Sequence, residues 1–238
     1  MATISYSNDE ELEKVWIDQF QVYMDNARKC GSVDEEYAKQ QDVYSKFAKA
    51  YDDAIRIEKY SGPVRIAKKV EALFPETKDI KVLDYGCGTG LVGDNLHALG
   101  FEHIDGLDPN PELLEESKSK GKMSKLFQMK STDNHDVFQT GSYDVITSSG
   151  TFFLSASHPG FEMLRVFARM IKKGGYIILL VKKAYLDCPF VDHSIIPQLE
   201  KEGVVKSHPQ ELFDGYRQPF KHEEDAKSTG AILTFQIL

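Results

Sequence analysis

Apolar residues in the first third of the chain recur at helical spacing. Leu12, Val15, Trp16, Phe20, Tyr23, Met24 and Ala27 form one stripe, and Cys30-Gly31 closes it. Ser32-Val33-Asp34-Glu35 has the form of a capping box, and it opens a second helix on which Tyr37, Tyr44, Phe47, Ala48 and Tyr51 share a face. A third helix begins near Gly62-Pro63 and stops before Pro75, because proline cannot continue a helix. The pattern then changes to apolar runs separated by helical segments. Strands are predicted at 80–84, 103–108, 125–129, 143–147, 176–181 and 231–238. Helices are predicted at 91–99, 111–120, 160–171 and 192–202, with a turn at Lys172-Lys173-Gly174-Gly175. Acids early and lysines late in 111–120 match the helix macrodipole. Strands alternating with helices predict an α/β fold, doubly wound, with a mostly parallel sheet covered on both faces. Residues 1–75 read as an N-terminal helical lid and 76–238 as the core.

Composition narrows the function classes. The chain has 238 residues with 29 Lys+Arg against 37 Asp+Glu, a net charge of −8. That balance argues against a nucleic-acid binder, which needs a basic stripe to neutralise phosphates. No apolar run is long enough to cross a bilayer, and the first residues lack a secretory pattern, so no membrane association is expected. Cys30, Cys87 and Cys188 lie far apart, and the histidines lack ligand spacing. Neither a disulfide framework nor a metal site is expected, and the reading is cytoplasmic.

The most informative segment is Val82-Leu83-Asp84-Tyr85-Gly86-Cys87-Gly88-Thr89-Gly90, between a strand and a helix. Glycines at alternate positions let the backbone turn tightly and approach a ligand that a Cβ would exclude. In a doubly wound sheet that ligand lies at the carboxyl ends of the strands, beside a helix N-terminus. Asp108 ends the next strand, where a carboxylate can accept hydrogen bonds from both hydroxyls of a ribose. A literal GxGxxG, Gly88 to Gly93, raises a dinucleotide site as an alternative, and with it an NAD(P)-dependent oxidoreductase. Against it, Gly86 and Cys87 displace the tight turn, and Asp84 would sit close to a pyrophosphate. A carboxylate there repels a dianion and favours an ammonium or sulfonium. S-adenosylmethionine is such a ligand.

Asp84 to Gly90 followed by Asp108 resembles the class I S-adenosylmethionine-dependent methyltransferase family. The resemblance continues through Ser142-Tyr143-Asp144-Val145-Ile146 and Arg165-Val166 to Lys173-Gly174-Gly175-Tyr176. Tyr44 to Asp52 is similar to the segment that many small-molecule methyltransferases place over the cofactor. The whole pattern is similar to methyltransferase-like proteins of the Williams–Beuren region type. The resemblance implies a Rossmann-like sheet of seven strands with the last antiparallel. It also implies Gly86, Cys87, Gly88 and Gly90 around the methionine and ribose, Asp84 at the methionine ammonium directly or through water, and Asp108 at the ribose. Pro109 and Asn110 would flank the adenine. Ser131 or Thr132 stands where the family often has an acid for the adenine amino group. Ser148, Ser149 and Gly150 would border the transferred methyl.

Methyl transfer from a sulfonium is an in-line displacement that can proceed by holding two reactants in line. Where the acceptor must lose a proton, His158, after the fourth strand, is the candidate catalytic residue; its plain alternative is a helix-entry residue before Pro159. Tyr44 and Tyr51, two helical turns apart, read as cofactor cover or as core. The expectation is an enzyme transferring a methyl group from S-adenosylmethionine to a small-molecule acceptor. A cofactor-binding protein without an acceptor pocket is the non-enzymatic alternative.

Overall fold

The structure, a computed structural model, describes residues 4, 6–16, 32–153, 155, 158–217 and 228–238. The predicted first-helix positions Phe20, Tyr23, Met24 and Ala27, with the Cys30-Gly31 closure, lie outside them. Among the described residues the N-terminal part forms helices α1 (Asp9–Trp16), α2 (Val33–Phe47), α3 (Tyr51–Ile57) and α4 (Gly62–Leu73). Ser32 caps α2, its Oγ accepting from Glu35 N at 3.2 Å. The predicted continuous stripe from Tyr37 to Tyr51 is broken by a 3-10 turn at Ala48–Ala50. Ala48 and Ala50 are buried, and only side chains this small let the tightened turn pack closely there. Leu12, Trp16, Phe47, Ala50 and Ala54 form a separate apolar cluster, with Trp16 edge-on to Phe47 at 5.0 Å.

The sheet alternates as predicted. Its first half contains β1 (Lys81–Tyr85), α5 (Leu91–Ala98), β2 (His103–Asp108), α6 (Pro111–Lys120), β3 (Lys125–Gln128) and β4 (Tyr143–Ser149). Then follow α7 (Met163–Met170), β5 (Ile171–Lys182), α8 (Lys183–Leu186), α9 (Ile195–Lys201), β6 (Val205–Ser207), β7 (Glu211–Asp214) and β8 (Thr229–Ile237). The order is β3-β2-β1-β4-β5-β8-β6, parallel through β5, with β8 antiparallel to its neighbours. Both faces are buried, and period-two alternation splits each strand between them. Leu83, Tyr85, Ile177, Leu179 and Val181 belong to one core cluster; Val82, Ile178 and Leu180 belong to the other.

Three local expectations change. Lys172–Gly175 is a bulge inside β5 and not a turn between elements, since the register steps from Tyr143↔Ile171 to Val145↔Tyr176. The helix expected at 160–171 starts at Met163, because Gly160 and Phe161 form the turn before it, with Met163 N donating to Gly160 O at 3.2 Å. Among the described residues the sheet has eight strands where seven were expected. Both β6 and β7 pair with β8, Val205 opposite Ile237 and Asp214 opposite Thr229, so they are one edge strand in two pieces. Pro209, between them, has no N–H to give to the ladder.

Candidate active site

The glycine loop leaves β1 under tight backbone control. Gly86 N and Cys87 N both donate to Leu107 O of β2, at 2.7 and 3.0 Å. Gly86, Gly88 and Gly90 all have positive φ, and their surroundings separate their roles. A Cβ on Gly86 would lie 2.2 Å from Thr151 Oγ1, and one on Gly90 would lie 2.7 Å from Ser117 Oγ of α6. A Cβ on Gly88 would meet nothing within 4 Å, so that glycine faces open space.

Two carboxylates flank this loop. Asp108 Oδ2 accepts from Gly88 N and its Oδ1 from Asn110 N, both at 2.9 Å. Burial nevertheless pushes its pKa up to about 6. Asp84 is 1% exposed; its Oδ1 accepts from Thr147 Oγ1 at 2.9 Å. Its Oδ2 is buried without a hydrogen-bond partner among the described residues. Burial pushes this carboxyl up to about 7, and the charge on Asp108 pushes the same way. A buried carboxylate of this kind favours a cationic or N–H-bearing partner, which would restore the missing interaction.

The cavity above the loop is lined by Gly86, Gly88, Asp108, Pro109, Ser131, Ser149 and Gly150 from the sheet side. Tyr44, Tyr51 and His158 close it from above. The other sequence candidates stand elsewhere. Asp84 lies outside the lining. Cys87 is buried beside Gly106, where burial pushes its thiol up, and Gly90 packs on α6. Ser148 donates to Tyr85 O at 2.8 Å, which bridges β4 to β1, and Thr132 is exposed. Asn110 caps α6, its Oδ1 accepting from Leu113 N at 2.9 Å, and it lines an adjoining recess of about 480 Å³. Tyr37, Gln41, Pro109, Met129 and Lys130 line both spaces.

Sequence reasoning missed Tyr37, Gln40, Gln41, Tyr85, Met129, Lys130 and Thr151, all of which line the cavity. The signal for part of this set was present: Tyr37, Gln41 and Tyr44 follow i, i+4, i+7, and a glutamine within a tyrosine stripe is too polar for ordinary core. Tyr85 carries no such signal, since a strand residue beside the loop reads as core; its hydroxyl is buried without a partner among the described residues.

The cover is tied down by side chains. Thr89 Oγ1 donates to Asp52 Oδ1 at 2.5 Å, and Lys120 Nζ lies 2.5 Å from Asp52 Oδ2. Asn110 Nδ2 donates to Gln41 Oε1 and to Ser45 Oγ, both at 3.0 Å. Trp16 Nε1 donates to the buried Glu58 Oε1 at 2.9 Å, and Arg217 Nη1 donates to the same oxygen at 3.3 Å. Tyr44 and Tyr51 have ring centroids 6.2 Å apart. His158 sits against Phe153, with Ser155 Oγ 3.2 Å from its Nδ1 and Gln40 Nε2 2.8 Å from its Nε2. Burial lowers its pKa to about 4, so the imidazole is neutral at physiological pH.

A family model described as a methyltransferase domain matches residues 59–222, well over half of the chain. The chain belongs to this methyltransferase domain family. Among curated relatives, ubiquinone biosynthesis O-methyltransferase of Xanthomonas oryzae is 30% identical over 42% of this chain and 41% of its own length. Human methyltransferase-like protein 27 is 32% identical over 35% of this chain and 34% of its own, which carries the narrower resemblance. The chain thus spans about two fifths or less of these two relatives. The putatively named YqeM methyltransferase of Bacillus subtilis is 26% identical over 60% of this chain and 57% of its own. Among solved structures, a TehB-like methyltransferase from Corynebacterium glutamicum superposes with a TM-score of 0.55 at 18% identity, covering 81% of this chain and 98% of that one. A chain from the complex of the Haloferax volcanii Trm112 methyltransferase activator with a methyltransferase gives 0.59 at 17% identity, covering 82% and 97%. These superpositions show that the methyltransferase domain has the Rossmann-like class I fold. Among its described residues no group of histidines, cysteines and acids is placed to hold a metal, and no helix is long and apolar enough to cross a membrane.

Proposed function

We propose that the protein transfers a methyl group from S-adenosylmethionine to a small-molecule acceptor. The unpartnered, buried Oδ2 of Asp84 below the glycine loop carries the reading, because an ammonium or a water it orders supplies what that oxygen lacks. The remaining residues fit the same group. Gly88 leaves the space that a ligand needs, Asp108 stands at the end of β2 to take the ribose hydroxyls, and Pro109 and Ser131 line the cavity on the adenine side. When bound, S-adenosylmethionine supplies the electrophilic methyl.

The chain's own contribution is placement and exclusion of water. Tyr44 and Tyr51 cover the cavity with aromatic rings, and burial holds the Tyr51 phenol well above its ordinary pKa, so it stays neutral beside a cation. Ser149 and Gly150, at the carboxyl end of β4, border the space between the loop and His158. Neutral His158 already has both ring nitrogens engaged, Nε2 by Gln40 Nε2 at 2.8 Å and Nδ1 by Ser155 Oγ at 3.2 Å. With its pKa lowered to about 4, it shapes the wall of the cavity and does not deprotonate the acceptor.

The net charge of −8 supports a small molecule over a nucleic acid as partner. The free thiols of Cys87 and Cys188 support the cytosol. Calorimetry with S-adenosylmethionine, its demethylated product, NAD and NADP tests the reading. The first two bind at micromolar affinity and raise the melting temperature, and the nicotinamide cofactors do neither. Tight NAD binding without either sulfur nucleoside would overturn it.

A further inference from the structure

His158 and Pro159 line a second recess as well as the cavity above the loop. This recess has a volume of about 450 Å³. Its walls are aromatic: Phe153, Phe161, Tyr185 and Phe190. Phe161 and Tyr185 are buried, whereas Phe190 stands 83% exposed at the rim, an aromatic ring with no packing of its own. The polar lining is acidic. Glu36, Glu162 and Asp192 contribute carboxylates, and no lysine or arginine is among the described lining residues.

Glu36 accepts a hydrogen bond from Ser155 Oγ, and Glu162 and Asp192 are the other two acids of the lining. Glu162 Oε1 accepts from Gly160 N at 2.9 Å and Asp192 Oδ1 from Ser194 N at 2.8 Å, both within their own turns. Neither is held in an ion pair with a described lysine or arginine, unlike Glu202 on α9's end, which Arg165 Nη1 meets at 2.8 Å. His158 is kept neutral by burial and adds no positive charge. Tyr185 is pushed up to about 12 by burial and by the charge of Glu162, so it presents a neutral ring. A concave surface with one sign of charge concentrates the opposite ion, and aromatic faces attract cations further. An anionic group would meet the carboxylates of Glu162 and Asp192, with no lysine or arginine among the described lining residues.

We propose that this recess binds the methyl acceptor, and that the acceptor carries a protonable nitrogen on an apolar body. The proposal rests on the methyl-transfer reading above and adds the acceptor's chemical class.

The test is calorimetry on the full chain saturated with S-adenosylhomocysteine, using three probes of similar size: 2-phenylethylamine, 2-phenylethanol and 3-phenylpropionate. The amine binds about tenfold more tightly than the alcohol, and the carboxylate binds most weakly. Glu162→Gln combined with Asp192→Asn brings the amine to within about twofold of the alcohol, leaving the alcohol and S-adenosylhomocysteine unchanged. Phe190→Ala weakens amine and alcohol together. Equal or tighter binding of the carboxylate overturns the proposal, as does an amine preference that survives the double substitution. Failure of all three probes on protein that binds S-adenosylhomocysteine overturns it too and leaves the cofactor reading standing. Failure of S-adenosylhomocysteine itself overturns the methyl-transfer reading, whatever the amine does.

Discussion

The floor of the cavity, at the carboxyl ends of β1, β2 and β4, is fixed by backbone, whereas its cover, from α2 and α3, is fixed by side chains. On the floor, Leu107 O takes two loop amides and Asp108 takes a third, Gly88 N, so the loop follows wherever the parallel strands go. On the cover, Asp52 reaches Thr89 and Lys120, and Asn110 reaches Gln41 and Ser45. Such ties are each worth about 1 kcal/mol and can part without disturbing the sheet's own ladder. The floor is therefore shaped by the strands themselves, whereas the position of the cover is set by side-chain contacts.

The largest effect that sharpens this contrast belongs to Asp84. Its folded pKa, about 7, lies above the ordinary carboxylate value. The protonated form thus stabilises the ligand-free fold fully below pH ~4, and that contribution is lost as pH rises through about 7. Asp84→Asn removes the buried charge. The ligand-free variant is more stable than the parent at pH 8 by ~2 kcal/mol and shows a flatter pH dependence of melting between pH ~4 and ~8. The same variant binds S-adenosylmethionine at least tenfold more weakly at pH ~8. Parallel melting and calorimetry would refute this if stability and affinity fell together.

Asp108→Asn gives a smaller change. One carbonyl oxygen remains to accept a backbone amide, and affinity falls about tenfold. The fold stays close to parental stability because the ladder below is untouched. A loss of melting temperature beyond the loss of affinity would mean that the floor depends on this carboxylate for its own shape.

The smallest effects are on the cover. Thr89→Val keeps the buried volume and removes the donor to Asp52, which weakens cofactor binding about fivefold, chiefly through faster release. Tyr51→Phe keeps the ring and changes affinity by less than about twofold, since a ring that only excludes water needs no hydroxyl. Stopped-flow release rates check both. Unchanged release in Thr89→Val would make the cover as rigid as the floor.

Reading the sequence located the floor because its signals are local. Asp84 to Gly90, Asp108 and the apolar strands sit in short segments whose backbone demands are written in neighbouring residues. The cover was legible only as a tyrosine stripe. Tyr44 and Tyr51 both line the cavity although a 3-10 turn at Ala48–Ala50 interrupts the helical stripe between them. Ser148 and Gly90 illustrate the opposite limit. Both lie in segments expected to meet the cofactor, yet Ser148 Oγ turns to Tyr85 O and Gly90 accommodates Ser117.

The sequence by itself determined the doubly wound sheet, the glycine loop and the two acids at the strand ends, because period-two burial and positive-φ turns act between near neighbours. Tertiary structure alone decided three further features. It left Asp84 Oδ2 without a partner among the described residues, it set a neutral His158 between two cavities, and it gathered Phe153, Phe161, Tyr185 and Phe190 around Glu162 and Asp192. Each depends on desolvation and on contacts between segments far apart in the chain. Burial and charge compensation are set by the packed fold and are invisible to any local pattern.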